Sequence, residues 1–358
     1  MRALPYYLIF LVPISVIQAY TMGGIFTFST PVWVFGVIPL LDLLIGKSSK
    51  NPTPEEARRI KDEFRFKVIP WLCALVQVVI VFWGAFVVAK GGLTILEIVG
   101  FTISMGTSSG VMGINVSHEL QHRVNNRYEP LLSRFMLWTV CYMHWAIEHV
   151  AGHHRNVATP HDPATARFGE SFYVFWPRTV GGGFKSAWEI EKNRLAKKGA
   201  SIWSPHNRML LYGTVEIGLL LFFWINFGFA AAFYFIGQSL VAVSLLEVVN
   251  YIEHYGLLRK PIAPGKYEPV NVTHSWNSSN ILTNLYLFNL QRHSHHHAEP
   301  GMRYQCLKHF DQSPQLPTGY AGMILLAVIP PLWRAIMDPR VPSRPSVSPI
   351  APEQGQPI

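Results

Sequence analysis

Long apolar runs separated by short polar breaks set the layout of this chain. Residues 4–22 (LPYYLIFLVPISVIQAYTM) are almost wholly apolar, and a helix needs about 20 such residues to cross a bilayer. A second apolar run covers 25–45, and the short uncharged turn between them predicts a helical hairpin. A cleavable signal peptide does not fit, since no small-residue cleavage site follows the first run. The third and fourth runs, 68–89 and 93–117, are parted only by Lys90-Gly91-Gly92. The fifth and sixth, 208–227 and 229–249, are parted by a minimal turn at 226–228. The pattern predicts an all-α integral membrane protein with six transmembrane helices in three hairpins.

The polar stretches divide the rest. Residues 1–117 hold the first four spans and a charged loop, 47–67, in which Thr53 and Pro54 mark a helix start. Residues 118–207 form the largest polar region, and its apolar stretch 131–147, with His144, is too short to span and predicts a buried or re-entrant helix. Residues 208–249 are the last two spans, and 250–337 a second polar region. That region ends in an apolar stretch, 320–337, which is broken by Pro330-Pro331 and predicted to lie at the interface. Residues 338–358 are rich in proline and serine and predict a disordered tail or linker. Asp42, near the end of the second span, is costly in lipid unless it faces protein or water. A structural cap and a polar supporting role suit it equally.

Composition agrees with a membrane protein: 49% of residues are hydrophobic and 14% charged, against roughly 25% charged in soluble domains. Cys73, Cys141 and Cys306 are far apart and form no thiolate metal motif, so each reads as a small buried hydrophobe. The net charge of +9 is concentrated at membrane flanks. It therefore points to cytoplasmic loops and an acidic soluble partner, not to nucleic acid. The 47–67 loop alone carries seven Lys or Arg, which places it in the cytoplasm. With three hairpins, every histidine cluster then falls on that same side.

Those clusters carry the chemistry. His118 and His122, in HELQH, stand at i and i+4 on one helical face and can grip one metal. His149 and His153 repeat that spacing, and His154 points about 100° away, so neighbours can serve two metals. His254 follows the sixth span directly, and His293, His296 and His297 crowd the segment LQRHSHHHAEP. Nine imidazoles are too many for one ion and suit two. Glu119, Glu148, Glu253 and Asp162 are candidate acceptors for imidazole N–H groups, which fix ring tautomer and orientation.

Together these segments resemble the integral-membrane, rubredoxin-dependent alkane 1-monooxygenase family, within the His-box membrane desaturase and hydroxylase superfamily. HELQHR (118–123), EHVAGHHRNVATPHDPATAR (148–167), NYIEHYG (250–256), LQRHSHHHAEP (290–300) and the region 315–341 carry the resemblance. NYIEHYG discriminates best. His295 departs from the family, which usually has Asp there, and the four-cysteine rubredoxin module fused to some members is missing. The resemblance implies that His118, His122, His149, His153, His154, His254, His293, His296 and His297 bind two iron ions, with no haem or flavin. It assigns His274 a supporting position near them. It further implies O2-dependent hydroxylation of a bilayer-dissolved n-alkane at its terminal carbon. Rubredoxin would supply the electrons, itself reduced by an NADH-dependent reductase, and the protein would sit in the bacterial inner membrane with its site facing the cytoplasm. Trp33, Phe35, Met112 and Asn115 are candidates for the substrate channel.

Three other readings compete. A zinc protease built on HELQH and one further ligand leaves six of the nine histidines unexplained. A metal transporter would hold its ion near the midplane of the spans, not at their ends. Another membrane diiron hydroxylase or desaturase, acting on fatty acyl or alkyl-aromatic substrates, shares the boxes and differs in product.

Overall fold

The computed structural model describes residues 2–342. Helices α1 (Leu4–Met22) and α2 (Gly24–Ile45) form the first hairpin. A short helix, α3 (Pro54–Ile60), is capped by Thr53, whose hydroxyl accepts the Glu56 N–H. The second hairpin is α4 (Phe64–Lys90) and α5 (Ile95–Gln121). Then come α6 (Glu129–Trp138), the histidine-bearing helix α7 (residues 145–156) and a long amphipathic helix, α8 (Phe172–Ala196). The third hairpin is α9 (Arg208–Phe227) and α10 (Phe229–His254). Short helices α11 (Ile281–Tyr286), α12 (His293–Ala298), α13 (Tyr320–Ala327) and α14 (Pro330–Met337) complete the chain. The six hairpin helices are long and apolar enough to cross a membrane.

Each span end has a local cause. Gly91 and Gly228 close α4 and α9 at φ +75° and +83°, where a side chain would be strained. Thr94 and Glu97 form a reciprocal capping box at the start of α5. The same Glu97 accepts the Gly24 N–H at 2.7 Å, which pins the first hairpin turn to α5.

Among the spans, α5 and α10 pack closest. A Cβ on Gly106 would lie 2.5 Å from the Val241 Cβ. Lipid offers no hydrophobic drive between helices, so close packing and buried hydrogen bonds hold them. Gln77 donates to Ser109 and to Thr139 at 3.0 Å each, and Ser109 donates to Gln238 at 2.8 Å. One polar chain thus joins α4, α5, α10 and the end of α6.

Several expectations are refined. The apolar stretch 131–147 is two helical pieces, α6 and the start of α7, parted at Cys141 with φ +50°. The fold is not wholly helical: Pro261–Ala263 and Lys266–Tyr267 pair as a small antiparallel hairpin around Gly265. Asp42 is a structural cap, accepting the N–H groups of Leu282 and Thr283 at the start of α11. The tail begins later than residue 338. Asp338–Arg340 form a 3₁₀ turn, and the Tyr255 hydroxyl donates to Asp338 at 2.6 Å. The remainder of that expected tail, from 343 onward, lies outside the described residues.

Candidate metal centre

The final turn of α5, all of α7, the last residue of α10 and the single turn of α12 meet at one end of the bundle. They bring nine imidazoles together in two groups. His118, His122, His149, His154 and His296 form one, and His153, His254, His293 and His297 the other. Eight of the nine are buried and His154 is half-buried.

Within the five-ring group, Nε2 of His149 lies 3.0 Å from Nε2 of His122 and 3.1 Å from that of His154, which is 3.1 Å from that of His296. In the four-ring group, the His293 Nε2 lies 3.3 Å from that of His254 and 2.9 Å from that of His297. Each such pair can share at most one proton, so converging Nε2 atoms leave lone pairs facing lone pairs. Among the described residues, the buried Nε2 atoms of His118 and His153 have no hydrogen-bond partner. Nitrogens about 2.1 Å from a common ion at right angles to one another stand about 3 Å apart. The donor set therefore fits two ions.

Burial, reinforced by neighbouring imidazoles, holds His122, His149, His154, His293, His296 and His297 well below the usual histidine range. A neutral ring is the form that binds metal. His153 is the exception. Burial opposes its charge, but the Asp162 carboxylate, 2.9 Å from Nδ1, overrides that and lifts it to about 9.

The pairing corrects one expectation. His149 and His153, four residues apart, do not share a group; His149 goes with His154 instead. The reason is that His149–His153 is π-helical, with i to i+5 hydrogen bonding, so one face repeats every five residues. On α5 and α12 the turn is regular. There His118 with His122, and His293 with His297, keep the four-residue partnership.

The expected acceptors separate. Asp162 takes the predicted part, and it is itself fixed by the Thr165 hydroxyl at 2.6 Å and the Ala164 N–H at 3.0 Å. Glu119 instead accepts from Arg123 and braces the box against the 301–304 loop, where Arg123 donates to the carbonyls of Gly301 and Met302. Glu253 stands with one oxygen 3.1 Å from the His293 Nε2, on the side that faces the group, while the Tyr320 hydroxyl faces its carboxylate. Glu148 accepts from Ser186, and burial followed by the nearby Asp162 pushes it up to about 8. The Ser275 hydroxyl lies 3.5 Å from the His254 Nδ1, while the imidazole of the adjacent His274 turns away to Glu268. His295 also faces away: it accepts the Lys308 N–H and lies against Glu299.

An apolar cavity of about 70 Å³ ends at His118, His149 and His293. Its walls come from α2 (Val34, Phe35, Ile38), α5 (Gly110, Val111, Ile114, Asn115), α10 (Leu245, Leu246, Val249) and α13. Phe35 and Asn115 therefore stand where the sequence predicts; Trp33 and Met112 do not. Met112 is buried with Ile9 and Cys73 in a core cluster that also includes the cavity-lining Val34 and Ile38, and does not itself line the cavity. The cause is again a π-helical segment, Ser109–Ile114, which adds a residue to the turn and rotates Met112 off the face that Asn115 and His118 share. Trp33 starts the π-helical segment Trp33–Val37 of α2 and packs into that same core.

The geometry agrees with the comparisons. Over 316 residues, 88% of this chain and 82% of the relative, it is 44% identical to alkane 1-monooxygenase 1 of Pseudomonas aeruginosa. The chain belongs to the alkane 1-monooxygenase family. It is 41% identical to the alkane 1-monooxygenase of Acinetobacter baylyi, over 88% of this chain and 77% of that one. A more distant relative, 28% identical over 94% of this chain and 88% of its own length, is the xylene/toluene monooxygenase hydroxylase component XylM of Pseudomonas putida. The profile of the fatty acid desaturase family covers residues 93–326. Family membership and the two histidine groups suggest an iron centre in a multi-pass membrane protein.

Within this alkane 1-monooxygenase family member, sequence reasoning missed Tyr320, Asn250 and Trp145 as site neighbours. Asn250, in NYIEHYG, had a signal available. A polar side chain four residues before His254 on a helix shares its face, and Asn250 does line the cavity.

Proposed function

We propose that the chain is an alkane 1-monooxygenase that hydroxylates medium- or long-chain n-alkanes at the terminal carbon. The observation that carries this is an apolar cavity, walled by membrane-spanning helices, that ends on rings from two histidine groups. His118, His122, His149, His154 and His296 would hold one iron ion, and His153, His254, His293 and His297 the other. Two ferrous ions there would supply O2 activation, with one oxygen atom passing to the substrate and one leaving as water.

The protein's own residues do the rest. Val34, Phe35, Ile38, Leu245 and Val249 offer no hydrogen bonds, so they accept a hydrocarbon chain and exclude water. A chain entering lengthwise meets His118, His149 and His293 with its end first, which makes terminal selectivity a matter of positioning. Asp162 orients His153 through Nδ1 and leaves Nε2 free to bind. We place the site on the cytoplasmic side of the bacterial inner membrane, because the basic 47–67 loop packs at the same end of the bundle: Arg292, beside His293, donates to the Lys50 carbonyl. Rubredoxin, reduced by an NADH-dependent reductase, is the electron donor. A surface cleft lined by Arg259, Lys260 and Arg340, next to His274 and hence His254, suits an acidic carrier.

The test is turnover of octane by purified protein with rubredoxin, its reductase and NADH. The expected product is 1-octanol. An alkene, or no alcohol from metal-loaded protein, would contradict the assignment; hydroxylation of toluene but not octane would move the substrate to alkyl-aromatics.

A further inference from the structure

Behind the wall of the apolar cavity lies a second, smaller one, with room for about one water molecule. Tyr142, His144, Glu148, Thr179, Glu247 and Asn250 line it. Asn250 and Trp145 line both spaces and divide them. Glu247 is fully enclosed within a span, where an ionisable group is costly and marks function. Among the described residues no Lys or Arg pairs with it. Its partners are neutral. The Tyr142 hydroxyl donates to Oε1 at 3.0 Å, and Thr179 and Asn250 donate to Oε2 at 2.8 and 3.1 Å. The Tyr142 ring packs edge-on against His144, with centroids 4.4 Å apart. His144 is 8% exposed and lies against Phe184, which is exposed. Titratable groups thus stand in contact from just beneath the surface, where the His144 Nε2 is buried with no hydrogen-bond partner among the described residues, to the cavity wall.

We propose that Glu247 relays protons from solvent at His144, by way of Tyr142 and the small cavity, past Asn250 into the reaction cavity. The proposal rests on the hydroxylase function. That reaction balances as RH + O2 + 2 e⁻ + 2 H⁺ → ROH + H2O, with the electrons from a one-electron carrier protein. An apolar cavity that excludes water needs a defined supply for both protons. In each pass the Glu247 carboxylic acid gives its proton to the oxygen that leaves as water. The carboxylate is then reprotonated from the Tyr142 hydroxyl, which regains a proton from solvent at His144. Two passes serve one turnover.

The test uses the full chain, metal-loaded and reduced through rubredoxin, with Glu247→Gln, Glu247→Asp and Tyr142→Phe. Glu247→Gln should keep its metal content yet lose roughly 100-fold in kcat, with a larger solvent deuterium isotope effect. Glu247→Asp should recover part of the rate, and Tyr142→Phe should shift both readouts the same way by less. Glu216 is a second carboxylate within a span, accepts the Met143 N–H at 2.6 Å and lines neither cavity, so Glu216→Gln should leave the isotope effect unchanged. If Glu247→Gln keeps kcat within about twofold of wild type, or loses rate together with metal or without any change in isotope effect, the relay is wrong. Wild-type protein that makes no alkanol would overturn the hydroxylase function first, and the relay with it.

Discussion

The two imidazole groups lie side by side and are built differently. The five-ring group is held by rings alone, and two of its members, His118 and His149, face the apolar cavity. The four-ring group has one ring fewer but carboxylates close by: Asp162 on His153, and Glu253 beside His293. The difference is one of charge. Where ring count falls, anionic groups stand nearer, so the two ions would meet similar stabilisation by different means. The group with spare rings and no carboxylate is the one that presents more surface to the hydrocarbon.

This contrast orders the predictions. The largest effect belongs to His254→Ala. It leaves three rings, so one of the two ions should be lost and alkanol formation should fall at least ~1000-fold, measured by metal analysis and product assay. His122→Ala tests the other group. Four rings remain there, so most of the metal should be retained even though activity drops; equal metal loss in both variants would erase the distinction. Asp162→Asn is next. Losing the carboxylate behind His153 should weaken metal binding in the four-ring group by about 10–100-fold while the five-ring group stays loaded, which a metal titration resolves.

Smaller effects concern the cavity. Phe35→Ala should extend the accepted chain length with little loss of stability. Met112→Ala should leave the product profile alone and cost about 2–5 kcal/mol of stability, as a buried methionine off the cavity surface does. The smallest effect involves no residue of either group. Glu191 joins Arg194 and Arg208 at 2.6 and 2.7 Å. Burial works against its charge, but its hydrogen bonds to the two arginines outweigh that and hold it down at about 2. Because its folded pKa is depressed, this contribution is in place above the ordinary glutamate range and is lost as pH falls toward 2. Glu191→Gln should lower the melting temperature by a few degrees at neutral pH and leave metal content unchanged.

What the sequence reveals and what it hides follow one physical rule. Span ends were legible at Gly91 and Gly228, and the start of α3 at Thr53, because these signals act locally. The histidine boxes were legible because nine imidazoles beside apolar runs have few other uses. Regular helical spacing placed His118 with His122 and Asn115 with the cavity. It failed for His149 with His153 and for Met112, each at a π-helical segment. Such a segment is set by tertiary packing, and no residue type announces it. Glu119 misled for another reason: its partner Arg123 is near in sequence, but the carbonyls of Gly301 and Met302 that complete the brace are not.

Whether nine histidines make a two-metal centre is decided by metal stoichiometry. Purified protein reconstituted with ferrous iron and freed of loosely bound ion should hold two irons per chain by plasma mass spectrometry. His254→Ala should hold close to one. A single tightly bound ion in the wild-type chain would contradict the account.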